Sequence, residues 1–261
     1  MIKVLSIAGS DPSGGAGIQA DIKTISALGG YAAAVITAVT AQNTWGVQAV
    51  YPLPADIVRK QIESVMDDLQ PEAIKIGMVH DTTIVQVIAE CLRKYRPTFI
   101  VYDPVMVSTS GRRLMTEDTM QSICRELFPL CTLITPNLSE AEMLSGHSIA
   151  NPDEMERTSE ELSRQYHTSI LLKGGHLEGT TMCDVLHHQG NTIRYAAPKV
   201  ESRNLHGTGC TLSSAIATFL SMGHTLETSV RLSKEYVHQA IENGRELSIG
   251  HGNGPLWHFP L

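Results

Sequence analysis

The chain has 261 residues, of which 42% are hydrophobic, and a formal net charge of -7. The negative charge argues against nucleic acid and anionic membranes as partners, because both bind basic surfaces. The five cysteines form no CxxC pair, which favours reduced thiols over disulfides or a structural zinc site. The sequence opens without a signal-peptide pattern and contains no apolar run long enough to span a membrane, so we predict a cytoplasmic protein.

Short apolar runs alternate with amphipathic stretches along the whole chain. We predict strands at 4–8, 33–39, 73–76, 99–103, 133–134 and 169–173, an extended piece at 47–50, and a hairpin over 182–195. Helices are predicted at about 18–28, 54–69, 82–94, 117–127, 139–145 and 153–166, and two more complete the chain. Repeated strand and helix units predict an α/β fold, a three-layer α/β/α sandwich with a mostly parallel central sheet and helices on both faces.

The sequence contains no linker, internal repeat or composition shift, so we predict a single domain over residues 1–261. Only the glycine-rich segment 250–255 has a composition that indicates flexibility. Ligands of such sheets bind beyond the carboxyl ends of the strands. The first of these ends is the glycine-rich loop 8–17, which has neither the GxGxxG pattern nor a Walker lysine and is therefore either a ligand loop or a plain turn.

The segment 206–211, His-Gly-Thr-Gly-Cys-Thr, precedes apolar residues at helical spacing. Its glycines allow a tight turn, and the first amides of the helix then lack acceptors and attract an anion. A helix start also favours a thiolate, so we expect the pKa of Cys210 to lie below the usual value of about 8.5. An anion site with a base predicts phosphoryl transfer, whereas the structural alternative is a simple strand-to-helix connection with a buried cysteine.

Three other strand ends carry polar residues of interest. The amide of Gln42 offers a donor and an acceptor, as the edge of an aminopyrimidine requires, although a surface amide is the simpler interpretation. Asn137 and Glu140 have the spacing of a helix cap and its returning carboxylate, or of a magnesium site that keeps much of its water. Lys173 lies in a predicted buried strand, so its ammonium group needs an anionic or wet surrounding.

Together these residues identify a family. The chain resembles the ribokinase superfamily and, within it, the hydroxymethylpyrimidine/phosphomethylpyrimidine kinases of thiamin biosynthesis. Seven blocks occur in the family's order, at residues 8–21, 37–44, 75–78, 103–106, 135–141, 173–176 and 206–211. The resemblance implies a ribokinase-like fold and ATP-dependent phosphorylation of 4-amino-5-hydroxymethyl-2-methylpyrimidine, first to the monophosphate and then to the diphosphate.

The resemblance also assigns roles to residues. Those implied to bind the pyrimidine are Gly9, Asp21, Gln42, Met78, Val105 and Cys210. Those implied to hold Mg²⁺ are Asp103, Asn137 and Glu140, and those implied to contact the nucleotide are Asn137, Lys173, His206 and Thr208. The implied catalytic groups are Lys173, the amides of the loop that includes Gly207 and Gly209, and Cys210 as the base. The second phosphorylation needs no base, because a phosphate oxygen is already ionised at neutral pH.

Three alternative functions stay open on the sequence. A nucleoside or sugar kinase is disfavoured by the cysteine at position 210 and by the absence of an obvious inserted lid domain. A pyridoxine or pyridoxal kinase performs the same chemistry on another hydroxymethyl heteroaromatic ring and also carries cysteine at this position in some members. A non-catalytic metabolite-binding homologue is the alternative from a different class. We expect a small-molecule substrate and a homodimer, with Trp257 and Phe259 as candidates for the contact between subunits.

Overall fold

Nine strands form one sheet within the described part of the computed structural model, which comprises residues 1–106, 114–175 and 180–259. They are β1 (Lys3–Ser10), β2 (Tyr31–Asn43), β3 (Gly46–Pro52), β4 (Ala73–Ile76), β5 (Phe99–Tyr102), β6 (Leu133–Ile134), β7 (Ser169–Leu172), β8 (Thr181–His188) and β9 (Asn191–Pro198). Their order is β3-β2-β1-β4-β5-β6-β7-β8-β9. The six strands from β2 to β7 in this order pair in parallel, and β3, β8 and β9 pair antiparallel, so the predicted mostly parallel sheet is confirmed.

Helices cover both faces of this sheet, which confirms the predicted three layers. They are α1 (Gly17–Ala27), α2 (Ala55–Asp68), α3 (Thr82–Tyr95), α4 (Glu117–Glu126), α5 (Leu138–Ser145), α6 (Pro152–Tyr166), α7 (Thr208–Ser221) and α8 (Leu226–Gly244). One apolar core lies between the sheet and α2 to α6, and the other lies between the sheet and α1, α7 and α8. Within the described ranges, none of these helices has the length and apolar character needed to cross a bilayer.

The predicted elements agree with the observed ones within a few residues, except around β2. This strand continues to Asn43, and the predicted extended piece is a full antiparallel partner, β3. The pairing register shifts between Ala41 and Gln42, which is the signature of a β-bulge. Bulges re-aim side chains, and this one lies beside the amide that the sequence indicated as a ligand group.

The prediction of a flexible segment at 250–255 is wrong. The amides of His251 and Gly252 donate to the Thr44 hydroxyl at 3.2 and 3.1 Å, and the carbonyl of Gly254 accepts from His206 at 3.0 Å. Glycine is required here for close packing, because a Cβ on Gly252 would lie 2.2 Å from the Thr44 carbonyl oxygen. A composition that normally indicates mobility therefore serves close contact between backbones.

Candidate active site

The site lies where the carboxyl ends of β5 and β7 meet the start of α7. Lys173, directly after β7, donates to Oδ1 of Asp103 at 2.7 Å, and Asp103 directly follows β5. A Cβ on Gly209 would lie 3.1 Å from Oδ2 of Asp103 and 3.3 Å from Nζ of Lys173. The topology thus brings three residues implied by the family resemblance into one cluster.

The start of α7 provides hydrogen-bond donors to this cluster. The amides of Thr208 and Thr211 donate to protein carbonyls, whereas those of Gly209 and Cys210 donate to no acceptor among the described residues. Gly207 has a φ of 84° and a Cβ there would lie 1.8 Å from the carbonyl oxygen of Gly15, so only glycine fits. Two unpaired amides at the positive end of a helix favour an anion.

The thiol of Cys210 lies at this helix start, near the first residue of α1, and is partly buried. Burial raises its pKa to about 11, although the ammonium of Lys75 acts in the opposite direction. The expectation of a lowered pKa is therefore wrong. The helix start does favour the thiolate, but packing against α1 removes the water that would solvate a negative sulfur, and this desolvation has the larger effect.

Asn137 and Glu140 form a helix cap at α5. Oδ1 of Asn137 accepts from the amide of Glu140 at 2.9 Å, and Oε2 of Glu140 accepts from the amide of Asn137 at 2.8 Å. The capping interpretation of this pair is therefore confirmed. Burial raises the pKa of Glu140 to about 7, and the nearby Asp103 adds to the rise while Lys173 opposes it. We call Asp103, Asn137, Glu140 and Lys173 the charged cluster.

The charged cluster suits a hydrated cation better than a fully protein-bound one. Across residues 1–106, 114–175 and 180–259, no group of three His, Cys, Asp or Glu side chains has the spacing needed to hold a metal. Magnesium keeps several waters and binds through one or two carboxylates together with phosphate oxygens. Asp103 and Glu140 are two buried carboxylates near one lysine, so the donor set fits such an ion.

A small apolar surface lies beside the charged cluster, at the ends of β1 and β4. Ala38, Met78 and Leu114 form a buried cluster that Val105 packs against, and we call these four residues the apolar wall. Gly9 is part of this arrangement, because a Cβ there would lie 2.5 Å from Cε of Met78. Three of the residues expected at the pyrimidine, Gly9, Met78 and Val105, are thus brought together.

Gln42 and His206 lie next to each other. The side-chain amide of Gln42 is 3.2 Å from Nε2 of His206 and 3.2 Å from the hydroxyl of Thr40. Nε2 of His206 is 2.8 Å from Oδ2 of Asp11. The His206 ring thus contacts both Asp11 and Gln42, and its expected contact with a nucleotide stays a prediction.

Thr208, the other loop residue expected at the nucleotide, caps its own turn. Its hydroxyl donates to the carbonyl of Leu205 at 2.7 Å, at the entrance to α7. His176, the last residue of the block that begins at Lys173, lies outside the described residues.

Asp21 was expected to contact the pyrimidine, but its carboxylate contacts other protein groups instead. Its side chain is fully buried and accepts from Lys75 at 2.9 Å, Ser6 at 2.5 Å and Ser214 at 2.7 Å. The helix α1 turns this carboxylate inward, because the ammonium of Lys75 from β4 would otherwise have no counter-charge. The ion pair between Asp21 and Lys75 thus lies in the protein interior near Cys210.

Lys75 is a buried charged residue beside the candidate site that the sequence patterns did not single out. It is fully buried in the centre of β4, and its charge acts on both Cys210 and Asp103. The signal was present, because a lysine in the otherwise apolar strand Ala73–Ile76 requires the same explanation as Lys173. The pairing of Asp11 with His206, by contrast, leaves no local pattern in the sequence, since 195 positions separate the two residues.

The fold and the site together define an α/β phosphotransferase. The chain belongs to the phosphomethylpyrimidine kinase family, whose sequence model matches residues 11–257. A relative from Rhizobium meliloti (strain 1021), named hydroxymethylpyrimidine/phosphomethylpyrimidine kinase, is 48% identical over 256 residues, which is 98% of this chain and 96% of that protein.

Two solved structures are also similar. The crystal structure of phosphomethylpyrimidine kinase from Clostridium difficile 630 has a TM-score of 0.83 at 46% identity and covers 92% of this chain and 100% of that chain. An ADP complex of Bacillus subtilis pyridoxal kinase has a TM-score of 0.92 at 31% identity and covers 100% of this chain and 98% of that chain. The same backbone thus occurs in kinases of two kinds of heteroaromatic alcohol.

Proposed function

We propose that this kinase uses ATP to phosphorylate 4-amino-5-hydroxymethyl-2-methylpyrimidine and then the resulting monophosphate, within thiamin biosynthesis. The observation that carries the proposal is the start of α7, where two unpaired amides and Lys173 surround a site for phosphate beside Cys210. Family membership and the names of close relatives support the choice of substrate.

Positioning and charge account for most of the catalysis in such a site. The transferred phosphoryl group carries negative charge on its oxygens, and donors aimed at it stabilise the transition state. The amides of Gly209 and Cys210 and the ammonium of Lys173 are the donors available. Burial lowers the pKa of Lys173, but Asp103 and Glu140 outweigh this effect and hold the pKa above its usual value, so Lys173 is charged at neutral pH.

Cys210 is the base for the first step. A primary alcohol attacks well only as its proton leaves, and the sulfur of Cys210 accepts that proton. The high pKa means that little thiolate is present at neutral pH, but it also makes the thiolate a strong base when it forms. The monophosphate attacks through an ionised oxygen in the second step, so Cys210 has no proton to accept there.

Magnesium is part of the proposal. Asp103, Asn137 and Glu140 would hold it, with most of its shell made of water and phosphate oxygens, and the ion would neutralise charge on the phosphates. The two hydrogen bonds of the cap between Asn137 and Glu140 do not require a metal. They fix both side chains at the edge of the sheet.

The alternative substrate is pyridoxal, and one assay separates the two. The purified protein is incubated with ATP and magnesium and with either the aminopyrimidine alcohol or pyridoxal, and the products are identified by mass. We expect the pyrimidine monophosphate followed by the diphosphate, because the amide of Gln42 matches a donor and an acceptor on one ring edge. Phosphorylation of pyridoxal alone, or of neither compound, would overturn the proposal.

A homodimer in the cytoplasm completes the proposal. Trp257 and Phe259 are 43% and 44% exposed and lie next to each other with ring centroids 6.1 Å apart, and paired aromatic side chains on a surface indicate a protein contact. A reducing compartment would also keep the Cys210 thiol free. Light scattering should give the mass of two chains for the native protein and of one chain for Trp257→Ser, and cell fractionation checks the compartment.

A further inference from the structure

The orientation of the Gln42 amide follows from counting hydrogens on its neighbours. The hydroxyl of Thr40 donates its single hydrogen to the carbonyl oxygen of Ser10 at 2.9 Å. Toward Gln42, at 3.2 Å, Thr40 can therefore only accept. In the structure the amide oxygen of Gln42 faces Thr40, but with the Thr40 hydrogen given to Ser10, the amide nitrogen is the atom that suits this position.

The neighbour on the other side gives the same answer. The two oxygens of Asp11 accept from the Ser13 amide and hydroxyl, from the Ala16 amide and from Nε2 of His206. All of these are donors, so Asp11 is a carboxylate and Nε2 of His206 carries a hydrogen. Burial raises the pKa of Asp11, but the bonds from His206 and Ser13 outweigh this and hold it below the usual value.

The nitrogen of His206 therefore cannot accept from Gln42. In the structure Nε2 of Gln42 lies toward His206, which sets two donors against each other at 3.2 Å. Half a turn of the terminal amide removes this conflict and satisfies Thr40 as well, because the oxygen and nitrogen of an amide have nearly the same size. His206 then donates one hydrogen that is shared between Asp11 and the carbonyl oxygen of Gln42.

We propose that Asp11, His206 and Thr40 are positioning residues that fix the Gln42 amide with its oxygen toward His206 and its nitrogen toward Thr40, so that an aminopyrimidine binds in one orientation only. This inference rests on the proposed function for its substrate. The amide keeps one lone pair on its oxygen and one hydrogen on its nitrogen for the ring edge. The exocyclic amino group then lies on the His206 side and the ring nitrogen on the Thr40 side.

This orientation has a consequence for the reacting group. The hydroxymethyl carbon is attached to the ring beside the amino group and away from that ring nitrogen. It is therefore directed to the His206 side, and His206 begins the loop that ends at Cys210. The reversed amide would bind the ring turned over, with its alcohol on the side of β2.

The tautomer of His206 tests the inference without substrate. Nitrogen NMR of the imidazole in the wild-type protein should show a hydrogen on Nε2. A hydrogen on Nδ1 alone would overturn the inference, and the result does not depend on whether the protein is a pyrimidine kinase.

A cycle of variants and substrates tests the role in binding. We compare kcat/KM for the aminopyrimidine alcohol and for the same alcohol without its amino group, in wild type, Thr40→Val, Thr40→Ser, His206→Phe and Ser13→Ala. Thr40→Val and His206→Phe should lower the preference for the amino compound by about tenfold, the usual effect of one lost hydrogen bond. Thr40→Ser should restore it, and Ser13→Ala should keep it, since Ser13 contacts only Asp11 in this group.

The experiments distinguish a wrong orientation of Gln42 from a wrong assignment of the kinase activity. A loss of activity that is equal for both alcohols in Thr40→Val and His206→Phe would mean a merely structural role and would overturn the inference. Absence of any pyrimidine phosphate from the wild-type protein would overturn the proposed function, whereas the NMR result would still decide the orientation of Gln42.

Discussion

The two ends of the candidate site present different chemical groups. At the start of α7, backbone amides and Lys173 favour negative charge, and they do so for any phosphate that reaches them. At the other end, a single amide on Gln42 distinguishes one hydrogen-bond pattern from another, and its neighbours set its orientation. In the proposed function, the first end supplies rate, and the second supplies orientation and choice of substrate. Loss of a group at either end should therefore have a distinct kinetic signature.

The largest effect is expected at Cys210. Cys210→Ala should lower kcat for the first phosphorylation by about 10²–10⁴-fold, the usual contribution of a positioned base, and should affect KM much less. The second phosphorylation should suffer less, because its nucleophile is already ionised. Single-turnover assays that start from the alcohol and from the monophosphate measure the two steps separately. Cys124→Ala is the control, and equal losses in both steps would show that Cys210 is not the base.

Lys75 tests the buried ion pair with Asp21, which lies near Cys210. Lys75→Met leaves the carboxylate of Asp21 buried without its ion partner and should lower the free energy of unfolding by about 3–5 kcal/mol, as seen for broken buried pairs. The double variant Lys75→Met/Asp21→Asn should recover part of the loss. Urea unfolding measures both, with Lys94→Met, from an exposed pair with Glu63, as a control that should change little. No difference between Lys75→Met and wild type would show that the pair is not needed.

His258 contacts the first turn of α7. Its Nε2 is 3.2 Å from the hydroxyl of Thr211, and burial lowers its pKa to about 4 from the usual 6.5. The unfolded chain therefore binds a proton more readily between these values, so the contribution of His258 to stability falls as the pH drops from 6.5 to 4. The loss should reach about 3 kcal/mol at the acid end.

The raised pKa of Glu140 has the opposite effect on stability. The folded protein takes up this proton more readily than the unfolded chain, so the contribution of Glu140 to stability rises as the pH falls. The difference in unfolding free energy between wild type and His258→Gln isolates the histidine. That difference should change with pH across this window, and a difference that stays constant would contradict the assignment.

The smallest expected effect is the change in rate per pH unit. This pH dependence should differ clearly between the first and the second phosphorylation. Because the pKa of Cys210 is about 11, its thiolate fraction rises by about tenfold per pH unit below that value. The first phosphorylation should therefore accelerate between neutral and mildly alkaline pH, whereas the second should change little. Cys210→Ala should abolish the slope of the first step, and a flat profile in the wild-type protein would contradict the role of the thiol.

Local patterns in the sequence were enough to predict the features that depend on neighbouring residues along the chain. The strands, the cap at Asn137 and the loop from His206 to Cys210 are of this kind. The pKa of Cys210 could not be predicted from local patterns, because its burial comes from α1, which lies almost two hundred residues earlier.

Properties that depend on distant pairs were beyond the reach of those patterns. The carboxylate of Asp21 was expected at the substrate, but Lys75 and Ser214 bind it. The tail at 250–255 has the composition of a mobile segment, yet the backbone of Thr44 passes so close that only glycine fits. Each of these errors has the same cause, a tertiary contact that no periodicity or motif encodes.

The most direct test of the central claim is a crystal structure of the protein with a non-hydrolysable ATP analogue and the aminopyrimidine alcohol. We expect the terminal phosphate against the amides of Gly209 and Cys210 and the ammonium of Lys173, with the pyrimidine edge on Gln42 and its hydroxymethyl group beside the sulfur of Cys210. A terminal phosphate bound away from the start of α7, or a ring bound away from Gln42, would contradict the account.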